Sequence, residues 1–258
     1  MKEKRFSSLV NYINQNGVCS YEDICENFAV SMSTARRDIN ELAKKNIIKK
    51  VHGGVTSLNY TSASKIPGLL NKMSGNGTTG GFKSTLMHIG KLAASHVDPG
   101  DIIYVGSGLT ALHMMPYLKD IPNLTILTNN IMVAVNDFEY DNNIIMLGGF
   151  IDYQSQTTSG ISVTDYLERT NIFKAFMSCD GVDMNRGISN LSESEVAIKR
   201  CLIQTTPIVY MLADNTKIDK VSLFTFTEFR DIDYFITDKD PGNEYRKLLS
   251  DANVTLEY

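Results

Sequence analysis

The chain has 258 residues, 43% apolar and 21% charged, so a packed core can form and global disorder is excluded. No window approaches ~18 uninterrupted apolar residues, which excludes a membrane-spanning helix. The net charge of −4 hides an asymmetry: residues 1–56 carry nine Lys/Arg against six Asp/Glu, and the rest carries sixteen against twenty-three. A basic head on an acidic body predicts two tasks in one chain.

Cys19, Cys25, Cys179 and Cys201 form no CxxC pair, and no apolar segment with a cleavage site follows the charged start. Reduced thiols, a cytoplasmic location and no membrane partner are therefore expected. His52, His88, His96 and His113 show no close ligand spacing, so no metal is expected.

In the head, Lys4–Asn16 places Phe6, Leu9, Val10 and Ile13 on one helical face, ended by Gly17. Ser20 is a good N-cap for a second helix, Tyr21–Phe28. The third helix runs from about Ser33 to Asn46. At about 100° per residue, Ala35, Ile39, Leu42 and Ala43 share one arc, and Ser33, Arg37, Asn40 and Lys44 share the opposite one, flanked by Arg36. Arginine on guanine, asparagine on adenine and lysine on phosphate are the contacts a DNA major groove rewards. Two β-like runs around Gly53-Gly54 then form a hairpin that carries Lys49, Lys50 and His52, a wing placed to touch backbone phosphate or the minor groove. Residues 57–81 read as a linker, because the closing Ser74-Gly-Asn-Gly-Thr-Thr-Gly-Gly81 is rich in turn formers.

In the body, residues 82–258, helices and strands alternate. The predicted order is helix Lys83–Val97, strand Ile102–Val105, helix Thr110–Leu118, strand Leu124–Leu127, helix Ile131–Phe138 and strand Ile144–Leu147. A helix near Val163–Glu168, strand Lys174–Ser178, helix Glu193–Gln204, strand Ile208–Leu212 and strand Asp233–Thr237 follow. This predicts a mostly parallel, Rossmann-like α/β sheet, with ligands bound at the carboxyl ends of its strands. The first such loop, Gly106-Ser-Gly-Leu-Thr-Ala111, fits G-x-G-x-x-A. The second strand ends in Thr128-Asn-Asn130, without the acid that a dinucleotide ribose needs. A tight turn or an anion cradle with Ser107 and Thr110 both remain open for this loop. Gly148-Gly149, Cys179-Asp-Gly-Val-Asp183 and Asp214-Asn-Thr-Lys217 lie at other strand ends, with Lys217 as the candidate cation. Cys179 has no histidine nearby and reads as a small core residue.

The run Ser33-Thr-Ala-Arg-Arg-Asp-Ile-Asn-Glu-Leu42, followed by Lys50-Val-His-Gly-Gly-Val55, resembles the amino-terminal winged helix-turn-helix of the DeoR family of bacterial transcription regulators. Thr128-Asn-Asn130, Leu147-Gly-Gly149, Gly181-Val-Asp183 and Leu212-Ala-Asp-Asn-Thr-Lys217 are similar to motifs of that family's carboxyl-terminal domain, itself related to ribose-5-phosphate isomerase. Where the family's first loop usually reads D-S-G-T-T, this chain has Gly106-Ser-Gly-Leu-Thr110.

The resemblance implies a sugar-phosphate effector and no cofactor. The effector residues would be Gly106, Ser107, Gly108, Thr110, Thr128, Asn129, Asn130, Gly149, Asp180, Asp183, Glu195 and Lys217. The expected protein is a repressor of a sugar-metabolism operon, bound to double-stranded DNA as a homodimer or homotetramer. Ser33, Thr34, Arg36, Arg37 and Asn40 would lie nearest the bases, and Lys44, Lys49, Lys50 and His52 on the backbone. The alternative is an isomerase-like enzyme with Glu193 or Glu195 as its carboxylate. The isomerase's Lys-Gly-rich segment is missing, and Met184-Asn-Arg-Gly-Ile-Ser189 stands in its place. A third reading makes the body a pure oligomerisation module.

Overall fold

The computed structural model describes residues 2–16, 18–28, 30–45, 47–51, 54–57, 80–135, 142–153 and 155–258. Gly17, Asn46, His52, Gly53, Phe138 and all but the ends of the expected linker lie outside the described residues. The chain divides into two compact units, Met1–Thr79 and Gly80–Tyr258.

In the first unit, α1 (Lys2–Asn16), α2 (Tyr21–Phe28) and α3 (Met32–Lys44) surround a small core of Leu9, Ile13, Cys19, Ile24, Ala35, Ile39, Leu42, Ile48 and Val55. Each fully buried aliphatic side chain contributes about 1.5–3 kcal/mol. Ser20 caps α2 reciprocally: its Oγ accepts from Asp23 N–H at 3.0 Å, and Asp23 Oδ2 accepts from Ser20 N–H at 2.9 Å. Ser31 caps α3 by accepting from Thr34 N–H. That cap starts the helix one residue earlier than Ser33.

The wing strands β2 (Ile48–Val51) and β3 (Gly54–Ser57) pair antiparallel. A third strand, β1 (Val18–Ser20), lies on the other side of β3. Three residues are too few to show alternation, so the sequence reads β1 only as a connection between helices.

The second unit is built on seven parallel strands. They are β4 (Ile102–Val105), β5 (Thr125–Thr128), β6 (Asn143–Met146), β9 (Lys174–Ser178), β12 (Ile208–Leu212), β14 (Tyr234–Ile236) and β15 (Thr255–Glu257), in the order β15-β14-β12-β9-β4-β5-β6. The order reverses between β4 and β9, the switch point at which parallel sheets of this kind form a ligand crevice at the carboxyl ends of their strands. Helix α4 (Gly80–Ala94) packs on β12 and β14. It begins inside the glycine-rich stretch read as linker.

The expected single helix Thr110–Leu118 is two short ones, α5 (Leu109–Leu112) and α6 (Met115–Leu118). Pro116 has no N–H to continue α5, and its ring conflicts with a carbonyl one turn back. Helix α7 (Ile131–Val135) follows β5, and α8 (Ile161–Glu168) packs against α9 (Glu193–Thr205). Helix α10 (Asn243–Asp251) leads into β15.

Two antiparallel pieces have no counterpart in the sequence reading. One is the hairpin of β7 (Phe150–Asp152) and β8 (Thr157–Ser159). The other is the sheet β10-β11-β13, formed by Gly181–Asp183, Gly187–Asn190 and Phe224–Thr227. Strands of three or four residues are too short for alternation to register, and β11 finds β13 about 35 residues away, a pairing that local periodicity does not report.

Candidate functional site

On α3 the two faces separate as their spacing requires. Ala35, Ile39 and Leu42 are buried, whereas Ser33, Arg36, Arg37, Asn40 and Lys44 are exposed. With Met32 and Glu41, the exposed set lines an open concavity of about 770 Å³. Arg37, Asn40 and Lys44 make no side-chain hydrogen bond or ion pair among the described residues, so their polar groups are available. Arg36 instead lies over the Tyr21 ring at 5.5 Å. Ser33 and the half-buried Thr34 both turn their hydroxyls to Ser31 Oγ, at 3.0 and 2.9 Å.

Lys49 and Lys50 are exposed on β2 and point to opposite sides of the wing. His52 lies outside the described residues. Sequence reasoning missed Asp38, which is buried on the inner side of α3 and accepts from Arg5 Nε at 2.8 Å. The one available signal was a carboxylate placed at the border of the apolar arc, next to Leu42.

In the second unit, the crevice between β4 and β9 gathers most of the expected effector residues. Ser107, Thr110, Thr128, Asn129, Asn130 and Glu195 are all buried. Ser107 Oγ donates to Glu195 Oε2, and Asn129 Nδ2 donates to Glu195 Oε1 at 2.8 Å. Tyr104 Oη, buried below, donates to Asn129 Oδ1 at 2.7 Å and fixes that amide's orientation. Burial, and then the Glu195 carboxylate, raises the Tyr104 pKa, so the phenol keeps its proton. The Ser107 hydroxyl hydrogen is thus directed to a carboxylate rather than held ready for an anion.

Thr128 and Asn130 brace the loops. Thr128 Oγ1 donates to Val105 O at 2.7 Å and accepts from Asn130 N–H, while Asn130 Oδ1 accepts from Met132 N–H at 3.0 Å. Gly108 has φ +93°, and a Cβ there would lie 2.7 Å from Ser178 Oγ, so only glycine fits. Gly106 is buried beside it, with its N–H bonded to Phe176 O. Gly149 is exposed, but a Cβ would lie 2.3 Å from Ser159 O.

Ser178 Oγ donates to Ser107 O at 2.7 Å, tying the end of β9 to this loop. Two residues on, Asp180 lies 3.8 Å from Lys217 Nζ and accepts from Leu191 N–H at 2.9 Å. Asp183 belongs to the β10–β11 turn, where its Oδ1 accepts from Asn185 and Arg186 N–H at 2.9 Å each. Burial pushes the Cys179 thiol up to about 12, which makes it inert at neutral pH.

Sequence reasoning also missed Lys199, one turn beyond Glu195 on α9. It is buried, donates to Asn190 Oδ1 and lies 5.5 Å from the Phe226 ring. Burial lowers its pKa, and the Glu195 carboxylate opposes that shift. Among the described residues, no group of three or more potential ligands could hold a metal.

Residues 5–61 match the family model described as the DeoR-like helix-turn-helix domain, and residues 85–239 match the DeoR C terminal sensor domain. The HTH-type transcriptional regulator IolR of Bacillus subtilis is 30% identical, over 99% of each chain. The HTH-type transcriptional repressor GlcR of the same organism is 29% identical, over 99% of this chain and 95% of that one. The glycerol-3-phosphate regulon repressor of Escherichia coli is 26% identical, over 98% of each. Among solved structures, a D-ribose-5-phosphate isomerase in complex with phospho-erythronic acid aligns at TM-score 0.40 and 15% identity, over 53% of this chain and 54% of that one. With matches to both family models, and a full-length relative at 30% identity, the chain belongs to the DeoR family of transcriptional regulators.

Proposed function

We propose that this regulator is a repressor of a sugar-metabolism operon, that it acts in the cytoplasm, and that a phosphorylated sugar bound in the crevice sets its DNA affinity. The exposed face of α3 carries the DNA half of this reading. Arg37 and Asn40 reach base edges from the major groove, with Ser33, Thr34 and Arg36 beside them. Lys44, Lys49, Lys50 and His52 meet the phosphates. One small head makes few contacts, so specific binding takes a homodimer or homotetramer on repeated half-sites.

The Glu195–Ser107–Asn129 cluster carries the effector half. A buried carboxylate held by a hydroxyl and an amide is suited to accept hydrogen bonds from sugar hydroxyls. In this arrangement the phosphate lies away from Glu195, toward Lys217. Two of the relatives above are named repressors, one of them of a glycerol-3-phosphate regulon, which supports a metabolite-linked repressor. The chain is read as a sensor and not as an enzyme, because its full-length relatives are named regulators. Coupling between crevice and DNA of about 1–3 kcal/mol is enough for control.

A gel shift on the protein's own upstream DNA, repeated with a panel of sugar phosphates, tests this. One member is expected to change the affinity at least fivefold. The same member should stabilise the protein against heat, by about 2.7 kcal/mol at 100 times its dissociation constant. Retention that no sugar phosphate alters, with a flat thermal response, would refute the sensor reading.

A further inference from the structure

The β7–β8 hairpin stands beside the effector crevice and presents an unusual surface. Phe150 is 82% exposed, Ile151 52%, Tyr153 84% and Ile161 79%. The Phe150 ring lies over Gly160, where a Cβ would be 3.2 Å from Phe150 Cδ2, so Phe150 adjoins Ile161. Phe150 and Ile151 follow each other in the strand and point to opposite faces, so apolar side chains flank the hairpin on both sides and together expose on the order of 500 Å².

The backbone is as informative as the side chains. Ile151 is opposite Thr158 in the hairpin, and Thr158 N–H donates to Asn129 O at 2.9 Å, away from β7. In an antiparallel pair, the N–H and C=O of one residue point to the same side. Ile151 therefore directs both of its backbone groups outward, along the edge of the hairpin that has no strand partner among the described residues. Proteins protect such edges with lysine, proline, bulges, charges or short length; β7 has no lysine, proline or bulge, and its protection is limited to its three-residue length and Asp152.

We propose that β7 is a homotypic docking edge: it pairs antiparallel with β7 of a second copy of this chain about Ile151. Ile151 exchanges two backbone hydrogen bonds with Ile151 of the partner subunit, and Phe150, Tyr153 and Ile161 close over the seam. A second copy fits because an isologous contact needs a self-complementary surface, and an open strand edge is one. The register also keeps the two Asp152 carboxylates from facing each other, since each lies opposite Phe150 of the partner subunit. Two such edges, with the apolar side chains on either side of the seam, bring together on the order of 1,000 Å², the lower bound for a specific interface. The edge is one strand away from the crevice, because β8 is bonded to Asn129 through Thr158 and Asn129 holds Glu195. Effector binding and pairing thus share a rigid connection.

The assignment rests on the reading that the heads act in pairs. Its test is sedimentation of the full-length protein at micromolar concentration, free and on operator DNA, with Ile151→Pro and Phe150→Lys compared with the unaltered chain. The unaltered protein is expected to associate, and each variant to weaken association about thirtyfold while keeping its circular dichroism spectrum. Because Ile151→Pro could disturb the hairpin, Ile151→Cys is also treated with a short bis-maleimide. A crosslinked dimer that forms with this variant and not with the unaltered chain supports the proposal. Folded variants that associate as before, with no crosslink, would overturn the β7 assignment and leave paired heads standing. An unaltered protein that stays monomeric, both free and on DNA, would overturn both.

Discussion

Arg5 meets a single oxygen of Asp38 through two nitrogens, Nε at 2.8 Å and an Nη at 2.7 Å. The other oxygen, Oδ1, is buried with no hydrogen-bond partner among the described residues. A buried carboxylate on the inner side of α3 therefore depends on one arginine from α1. Arg5→Ala is expected to cost about 1–3 kcal/mol, because it strands a buried charge. Urea unfolding of the full chain measures this. An unchanged midpoint would show that α3 does not need the link. Asp38→Ala in the Arg5→Ala background should recover part of the loss.

Arg37 and Lys49 should fail in different ways. Arg37→Ala is expected to cost about 1–3 kcal/mol on specific DNA and little on random sequence. Lys49→Ala should weaken both alike and lower the salt slope by about one. Fluorescence anisotropy across a salt series separates the two. Equal losses on specific and random DNA for Arg37→Ala would remove that residue from base reading.

Glu195→Gln keeps the shape of the crevice and removes its charge. Effector affinity should fall by about 1.5–3 kcal/mol, the worth of a charge-assisted hydrogen bond. DNA affinity without effector should stay unchanged. Gly108→Ala should also weaken the effector, since its φ of +93° and the nearby Ser178 hydroxyl leave no room for a Cβ. Titration calorimetry reads both variants. Full effector affinity in Glu195→Gln would exclude that carboxylate from ligand contact.

Lys199 predicts a pH effect with a definite sign. Burial lowers its folded pKa below the ordinary lysine range, so between the folded and the ordinary value the unfolded chain binds the extra proton. Stability should therefore rise with pH across that window because of this group. Chemical unfolding at several alkaline pH values should show the rise in the unaltered protein and a smaller one in Lys199→Met. Parallel profiles would mean that Lys199 keeps an ordinary pKa in the folded protein.

Much of this protein is written in short stretches of chain. The α2 boundaries, the strands Ile102–Val105, Lys174–Ser178 and Ile208–Leu212, and the two faces of α3 all follow from spacing and caps within a few turns. Helices and buried parallel strands carry their periods locally, so their residues announce themselves. The charge contrast between head and body is likewise a property of composition.

The assembled contacts are of another kind. Arg5 finds Asp38 across 33 positions, Asn129 finds Glu195 across 66, and Ser107 finds Glu195 across 88. Nothing in the vicinity of Ser107 reveals that its hydroxyl will face a carboxylate and not an anion. Lys199 reads as an ordinary helical lysine until β11 and β13 close over it. Strands β1, β7 and β8 have only three residues each, too short for alternation to register, and exist because a neighbouring strand satisfies their backbone. Local periodicity specifies which segments form, whereas burial and distant hydrogen-bond partners exist only once those segments have packed.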